Sequence, residues 1–553
     1  MSNLFFFITI YLLFFISAIG YGLIFSNIFN IKVSNFGLFP IYGLILLTFI
    51  SYLSIFFVSH NYYFNTIIHL VGLLIFFKNF FLKKIKVENF FIIIILIMLF
   101  SLLISKNHDD FGFYHLQQML NFSTNKYQLG LHNLDFSYSH HSSILLLSSL
   151  YYIPIFNFYF FNASNLIFFS SIIIFFYSIY KNRTSSNFQK IFSLFFLIFF
   201  LVKFTRLSEF GTDIVGQCLI IIFTYLFVVD LQNKNHENLI VNSCLFLVFC
   251  VTLKTYFITY SIFVILLAYK IKLKDIFNII KKKHIFIIFS FCFFSLFLIF
   301  NLFNTGCLIY PLPTLCFESL IWSMPIDKVK DYQIFYEAWA KSLAGTSYVV
   351  DNYQQIISNF SWVKFWIKNY FFNKFLDNIV LILFISLIFL FFFQSKNKIS
   401  KLNFKNFKLI FFAISFIFLI WFIKHPTLRY GGYAPLSLLI SFPLICYLSL
   451  AKKFKYNINK IGNFLLIIAF SIFVIKNAIR LDAELNRNDM YKFTNFPFFY
   501  VPKIPYEKTY FENNIQLYQP IDQDSNCWSI PQPCTTNFNF KVKKKFNYVI
   551  FYK

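Results

Sequence analysis

Apolar stretches of roughly 17 to 25 residues recur along the whole chain, each long enough to cross a hydrocarbon core of about 30 Å as an α-helix. They lie near 4–28, 37–58, 63–82, 89–105, 160–180, 190–204, 212–230, 239–253, 255–270, 285–303, 376–394, 409–424, 433–451 and 461–477. Backbone groups in lipid must bond internally, so helices are the available form. With 58% hydrophobic residues in 553, the chain exceeds the about 45–50% of a soluble domain. The sequence predicts an all-α polytopic membrane protein, a bundle of roughly 12–14 transmembrane helices with extracytoplasmic loops. The 88 phenylalanines fit the Phe, Ile, Asn and Lys excess of an AT-rich genome, so aromatic content carries no functional weight.

A net charge of +26 would suggest nucleic acid in a soluble protein, but here the basic residues cluster in short connectors between apolar runs. That is the positive-inside pattern, and nucleic-acid binding gains no support from it. The connectors are 83–86, 181–190, 270–284, 395–408 and 451–460. Placing all five in the cytoplasm gives one consistent threading, provided the apolar stretch 142–153 dips into the membrane as a half-helix. The expected location is the bacterial inner membrane, multi-pass. The segment 4–28 lacks a basic n-region and a small-residue cleavage site, so it reads as the first span. A transmembrane domain, 1–477, then presents outer loops 106–141 and 304–375. Residues 478–553 form an extracytoplasmic tail or a small domain.

Ionisable residues near lipid are costly, so those not needed for orientation are functional candidates. They are His108, Asp109, Asp110, His115, Glu209, Asp213, Lys254, Glu318, Glu337, His425 and Arg429. Asp109 and Asp110 repel each other at a low-dielectric boundary, which suits one of them to general-base work; the alternative is a polar helix cap. If the segment continues as helix, Asp110, Tyr114 and Gln117 share a face. Five histidines (His108, His115, His132, His140 and His141) share this segment, so a divalent metal is conceivable, although no recognised ligand spacing is present. Glu209 and Asp213 precede an apolar run, where capping is the competing explanation. Lys254 either snorkels or meets a phosphate. Arg429, in "HPTLRYGGY", offers a planar fork to phosphate or binds lipid head groups. Trp322 and Trp339 suit an interfacial belt or a sugar-stacking platform. Cys307 with Cys316, and Cys527 with Cys534, fall in outer segments; in an oxidising periplasm each pair could close a local disulfide. No cysteine–histidine set has zinc spacing.

An acidic pair just beyond an early helix, a second acidic residue in a short outer loop, a long loop in the second half and an arginine in a late outer turn give an order that resembles the GT-C superfamily of polytopic glycosyltransferases; "DDFGFYHLQ", "LGLHNLDFSYSHHSS", "DIVGQ", "NTGCLIYPL", "EAWAKSLAG" and "RYGGY" resemble more closely a bacterial membrane-protein group allied to them. The similarity covers most of 89–450. It implies a polyprenyl-phosphate-linked sugar as donor, an extracytoplasmic acceptor, and an active site facing the periplasm. Asp109 or Asp110 would then be the base, and Glu209 or Asp213, with His115 nearby, would orient the acceptor or a metal. Arg429, with Lys254, would neutralise the departing phosphate in an inverting displacement. Three extra apolar runs precede the acidic loop, which in such enzymes commonly follows the first helix. A transporter or flippase of lipid-linked glycans, and a glycan polymerase or ligase, are the alternatives. A transporter would show internal repeats, and a polymerase would want arginines in 304–375, which has none.

Overall fold

The computed structural model describes residues 2–82, 87–343, 353–395, 405–451, 454–487, 491, 495–511, 515–522, 526–536 and 539–553. The connector 83–86 lies outside them, as do parts of those at 395–408 and 451–460 and the end of "EAWAKSLAG". The protein is an all-α polytopic membrane protein. Among the described residues nine helices are long and apolar enough to cross a membrane, or ten if the bent pair Thr255–Lys270 and Leu273–Lys282 counts as one span. Leu38–Ser54, Asn89–Leu103 and Tyr433–Ser449 are shorter apolar helices, which the sequence reading counted as spans.

The first three helices pack closely because small residues let their backbones touch. A Cβ at Gly20 would collide with the backbone of Gly72, and one at Gly43 with that of Ala18. Two helices form the centre: the best apolar windows of Phe158–Lys181 and Asp213–Gln232 are each 89% buried. Those of Tyr62–Phe81 and Phe407–Lys424, at 22% and 28%, face outward, where their apolar side chains suit lipid. The stretch 142–153 contains the short buried helix Ser143–Ser148 and a tight turn, Ser149–Tyr151. Its polar groups are held from the neighbouring helices: His60 Nδ1 lies 2.6 Å from Ser149 Oγ, and Asn65 Nδ2 donates to Ser149 O at 2.9 Å.

Loops segregate to two ends. At one, the basic connectors touch each other: Lys181 Nζ donates to Asn463 Oδ1 at 2.9 Å, Asn187 Nδ2 to Ala451 O at 2.8 Å, and Lys455 N to Gln394 O at 2.9 Å. At the other, the acidic and mixed segments meet: His108 N donates to Ser208 O at 3.1 Å, and Thr427 Oγ1 to Ala340 O at 2.8 Å.

The long helix Ile458–Arg487 returns to that second end, where Glu484 accepts from Ser105 N at 2.7 Å and Lys106 N at 3.1 Å. The tail beyond it folds into two antiparallel hairpins. The first pairs Tyr506–Phe511 with Ile515–Pro520, and the second pairs Lys541–Lys545 with Tyr548–Tyr552. The second turns through Phe546 and Asn547, at φ 50° and 64°, the left-handed geometry of a two-residue hairpin turn. This cap is packed onto the loop 106–141. Leu129 N donates to Val549 O and Leu129 O accepts from Phe551 N, both at 2.9 Å. Disulfides join Cys307 to Cys316 and Cys527 to Cys534.

Candidate functional site

Four distant stretches of chain meet at the end of the bundle opposite the basic connectors. Asp213 opens its central helix with a side chain only 4% exposed. Its Oδ1 takes the Lys254 ammonium, and its Oδ2 accepts from Arg429 Nε at 3.0 Å. Arg429 then reaches Asp110 Oδ2 with Nη2, at 2.9 Å. One planar guanidinium thus joins two carboxylates through different nitrogens, a geometry that a lysine cannot reproduce. The Asp110 and Arg429 side chains remain 30% and 36% exposed, so the set is reachable from outside.

Each cation is held by its surroundings. Lys254 is where the helix His236–Leu253 gives way, with extended backbone before the tight turns Thr255–Ser261. Its nitrogen lies 4.6 Å from the centre of the Tyr430 ring, and the Arg429 guanidinium carbon 5.7 Å from the same ring, so one aromatic ring serves both charges. The Arg429 turn, Leu428–Tyr430, ends at Gly431 with φ 96°, where a Cβ would strike the Tyr256 ring. Gln217, one helical turn beyond Asp213, clamps it. Its Nε2 donates to Leu428 O at 3.1 Å, and its Oε1 accepts from Tyr433 N at 2.7 Å and Ala434 N at 3.3 Å. Tyr370 Oη accepts from Leu428 N at 2.8 Å.

Asp110 precedes a wide helical turn, Phe111–His115, of i→i+5 type, which runs into the α-helix Leu116–Thr124. Such single wide turns interrupt helices at functional positions. The wider turn takes Gln117 off the face expected for Asp110, Tyr114 and Gln117, while Tyr114 stays near Asp110; Gln117 is buried, with Nε2 donating to Gly112 O at 2.6 Å. His108 Nδ1 lies 3.0 Å from Asp110 N and 3.2 Å from Asp110 Oδ2. A neutral Nδ1 accepts from the backbone; a protonated one donates to the carboxylate; it cannot do both. Burial pushes the Asp110 carboxyl up, but the His108 hydrogen bond and the charges of His108 and Arg429 outweigh it and hold the group well below the usual carboxylate range.

The other candidates stand apart from this set or beside it. Asp109 is exposed. Glu209 pairs with Arg206 at 2.9 Å, three residues upstream. His115 is buried, its ring centre 5.9 Å from that of His108. Burial pushes its imidazole down to about 3, so it is neutral. Its Nε2 has no partner among the described residues, nor does Asn165 Oδ1, and both residues line a narrow cleft with His108, Ser148 and Ser208. The remaining histidines disperse: His132 bonds Asn304 O at 2.6 Å, His140 packs on Tyr336 at 4.6 Å, and His141 bonds Tyr52 Oη at 2.7 Å. Among the described residues no three His, Cys, Asp or Glu side chains group as a metal site. Trp322 is anchored by Nε1 to Leu302 O at 3.0 Å, while Trp339 is 45% exposed. Glu318 caps Ile326 N at 2.7 Å, and Glu337 pairs with the buried Lys341 at 2.6 Å. The His425 ring lies 6.3 Å from Tyr430.

Gln217 and Tyr430 were not among the sequence candidates. Gln217 was visible as the polar residue four positions after Asp213 in an otherwise apolar run, the spacing that stacks two side chains on one helix face. Tyr430, one of 35 tyrosines, carried no signal beyond its place beside Arg429.

Fold and site together define a polytopic α-helical membrane protein with two carboxylates and two cations joined at one end of its bundle. The chain belongs to a family described as a domain of unknown function (DUF8201), which matches residues 4–436. That stretch holds Asp110, Asp213, Lys254 and Arg429, and ends before the helix Ile458–Arg487 and both hairpins. No curated protein and no solved structure matches the chain.

Proposed function

We propose that this protein is a membrane glycosyltransferase of the GT-C type, moving a sugar from a polyprenyl-phosphate donor to an extracytoplasmic acceptor. The observation that carries the reading is the Asp110–Arg429–Asp213–Lys254 set, in which a carboxylate on a reachable rim shares its arginine with a buried carboxylate. Arg429 and Lys254 would receive the donor phosphate. Asp213, tied to both, would keep them aligned. A phosphate arriving at the guanidinium competes with Asp110 for Nη2, so donor binding would release the carboxylate that the resting ion pair makes a weak base. The acceptor hydroxyl would then give its proton to Asp110 as its oxygen attacks the anomeric carbon. The carbon–oxygen bond to phosphate breaks, and the leaving phosphate keeps the electron pair, stabilised by Arg429 and Lys254.

The same reading sets the site in the periplasm, with the chain in a bacterial inner membrane. Basic connectors at the opposite end support cytoplasmic placement there, and two disulfides on the site's side fit an oxidising compartment.

The test is sugar transfer in isolated membranes supplied with a polyprenyl-phosphate sugar. Asp110→Asn and Arg429→Ala should each lower transfer by about 100-fold or more while the protein still inserts. Transfer at wild-type rate in both variants overturns the reading. Movement of the donor across the membrane without a new glycosidic bond would identify a transporter instead.

A further inference from the structure

The connector 270–284 is a structured element. After Lys270 the chain turns by 112° into the helix Leu273–Lys282, which has no buried residue. Leu273, Ile276, Phe277 and Ile280 fall at i, i+3, i+4 and i+7 along it, one continuous stripe. Leu273 is 65% exposed, Phe277 68% and Ile280 36%, while Ile276 is half-buried against the bundle. Lys274 and Lys281 flank the stripe, and Asn278 and Lys282, with the single acid Asp275, lie opposite it.

Its position says what covers the stripe. Thr255–Ser261 and Ile262–Lys270 together run about 27 Å at about 2.0 and 1.5 Å per residue, close to the thickness of a bilayer core. That segment starts beside Lys254, at the end that holds the charged set, and ends among the basic connectors. On the far side of the short helix the span His284–Thr305 begins. A helix turned 112° between the segment Thr255–Lys270, long enough by the length above to cross, and the candidate span His284–Thr305 has the placement of a helix that lies along the membrane surface. Lys282 and Lys283 are tied to Glu237, at 2.5 and 3.2 Å, and Lys283 also donates to Asn30 O at 3.2 Å, which fixes the end of the helix against the bundle. Lys272, Lys274 and Lys281 form no ion pair among the described residues and are exposed.

The geometry points to an in-plane membrane anchor in Leu273–Lys282, whose apolar stripe enters the acyl boundary and whose lysines hold anionic phospholipid head groups. The partner is the lipid surface itself. Unlike the spans, this helix distinguishes one lipid composition from another.

Two measurements on the full-length protein in vesicles of phosphatidylcholine with phosphatidylglycerol test it. In a Cys292→Ser background, Phe277→Cys and Asn278→Cys are labelled with a water-soluble maleimide. Asn278→Cys should react readily and Phe277→Cys should be shielded; equal labelling overturns the proposal, and shielding that persists in lipid-free detergent by a co-purifying protein would assign the stripe to a protein partner. Separately, the Lys272→Gln/Lys274→Gln/Lys281→Gln variant should lose phosphatidylglycerol enrichment around the protein, by about fivefold for each lysine at low salt. Unchanged enrichment in a correctly inserted variant overturns the lipid assignment.

Discussion

Arg429 donates through Nη2 to Asp110 Oδ2 at 2.9 Å across 319 positions of chain. Its Nε meets Asp213 Oδ2 at 3.0 Å, so the two carboxylates depend on one rigid fork. Arg429→Lys keeps the charge and removes the fork. Sugar transfer from a polyprenyl-phosphate donor should fall by about 100-fold, with thermal stability in detergent lowered less than in Arg429→Ala. Retention of most of the activity by the lysine variant would show that charge alone suffices.

Gln217 should behave as a positioning residue. Gln217→Leu leaves the N–H groups of Tyr433 and Ala434 without their acceptor, a cost of about 1–3 kcal/mol, and frees the Arg429 turn to drift. Turnover should drop more than donor affinity, measured as separate kcat and KM values. Gln217→Glu restores the acceptor and should recover part of the turnover; equal loss in both variants would point to a purely structural role.

Two kinds of group lose stability as pH falls, in different windows. An unfolded histidine titrates near about 6.5, whereas burial pushes His115 down to about 3 and His140 to about 4. Below pH 6.5 the unfolded chain binds protons that the folded protein refuses, so stability falls as pH drops, by up to about 1.4 kcal/mol per pH unit for each such histidine. His140→Gln should flatten the decline in unfolding temperature between pH 6.5 and 4. Parallel curves for the variant and the wild type would contradict it. Asp110, held below its unfolded value of about 3.9, contributes stability that is complete above that value and lost as pH falls further. The gap between wild type and Asp110→Asn should therefore be constant above pH 5 and close below pH 4.

The Cys527–Cys534 loop carries Trp528, whose ring lies 2.5 Å from where a Cβ on Gly112 would stand. Gly112→Ala should push the ring away from the Asp110 turn, and the double variant Cys527→Ser/Cys534→Ser should loosen the same contact. The loop closes seven residues, so its loss costs about 2–3 kcal/mol. Limited proteolysis should cut the hairpins sooner in both variants; unchanged protection would mean that the cap docks without this loop.

The membrane class was legible because apolar length is a property of sequence alone, and Asp110, Asp213, Lys254 and Arg429 were legible because charge beside lipid is conspicuous. Which of Asp109 and Asp110 faces Arg429 was not. Adjacent residues leave a helix start in different directions, and here the chain enters a wide turn whose register is fixed by Glu484, some 380 positions away, holding Ser105 and Lys106. Glu209 looked equivalent to Asp213, yet Arg206 three residues upstream pairs with it locally. The connector 270–284 read as a run of lysines, although its 3.6-residue stripe was already written in Leu273, Ile276, Phe277 and Ile280. The hairpins were hidden because their strands are short and their apolar partners, such as Leu129, lie in a distant loop.

Asp110, Asp213, Lys254 and Arg429 sum to zero charge. A neutral quartet has a field that dies away much faster than that of a lone ion, so it can rest at a low-dielectric boundary without drawing in water or counter-ions. Neutrality also limits what the quartet can exchange. On the proposed reading a donor phosphate bearing one negative charge would take the place of one carboxylate beside the cations, and the one released would be Asp110 on the rim, because Asp213 is paired with both Lys254 and Arg429. On the proposed glycosyltransferase reading, the ion-paired quartet is the balanced resting state, and the arrival of the donor's anion would be the event that frees a carboxylate.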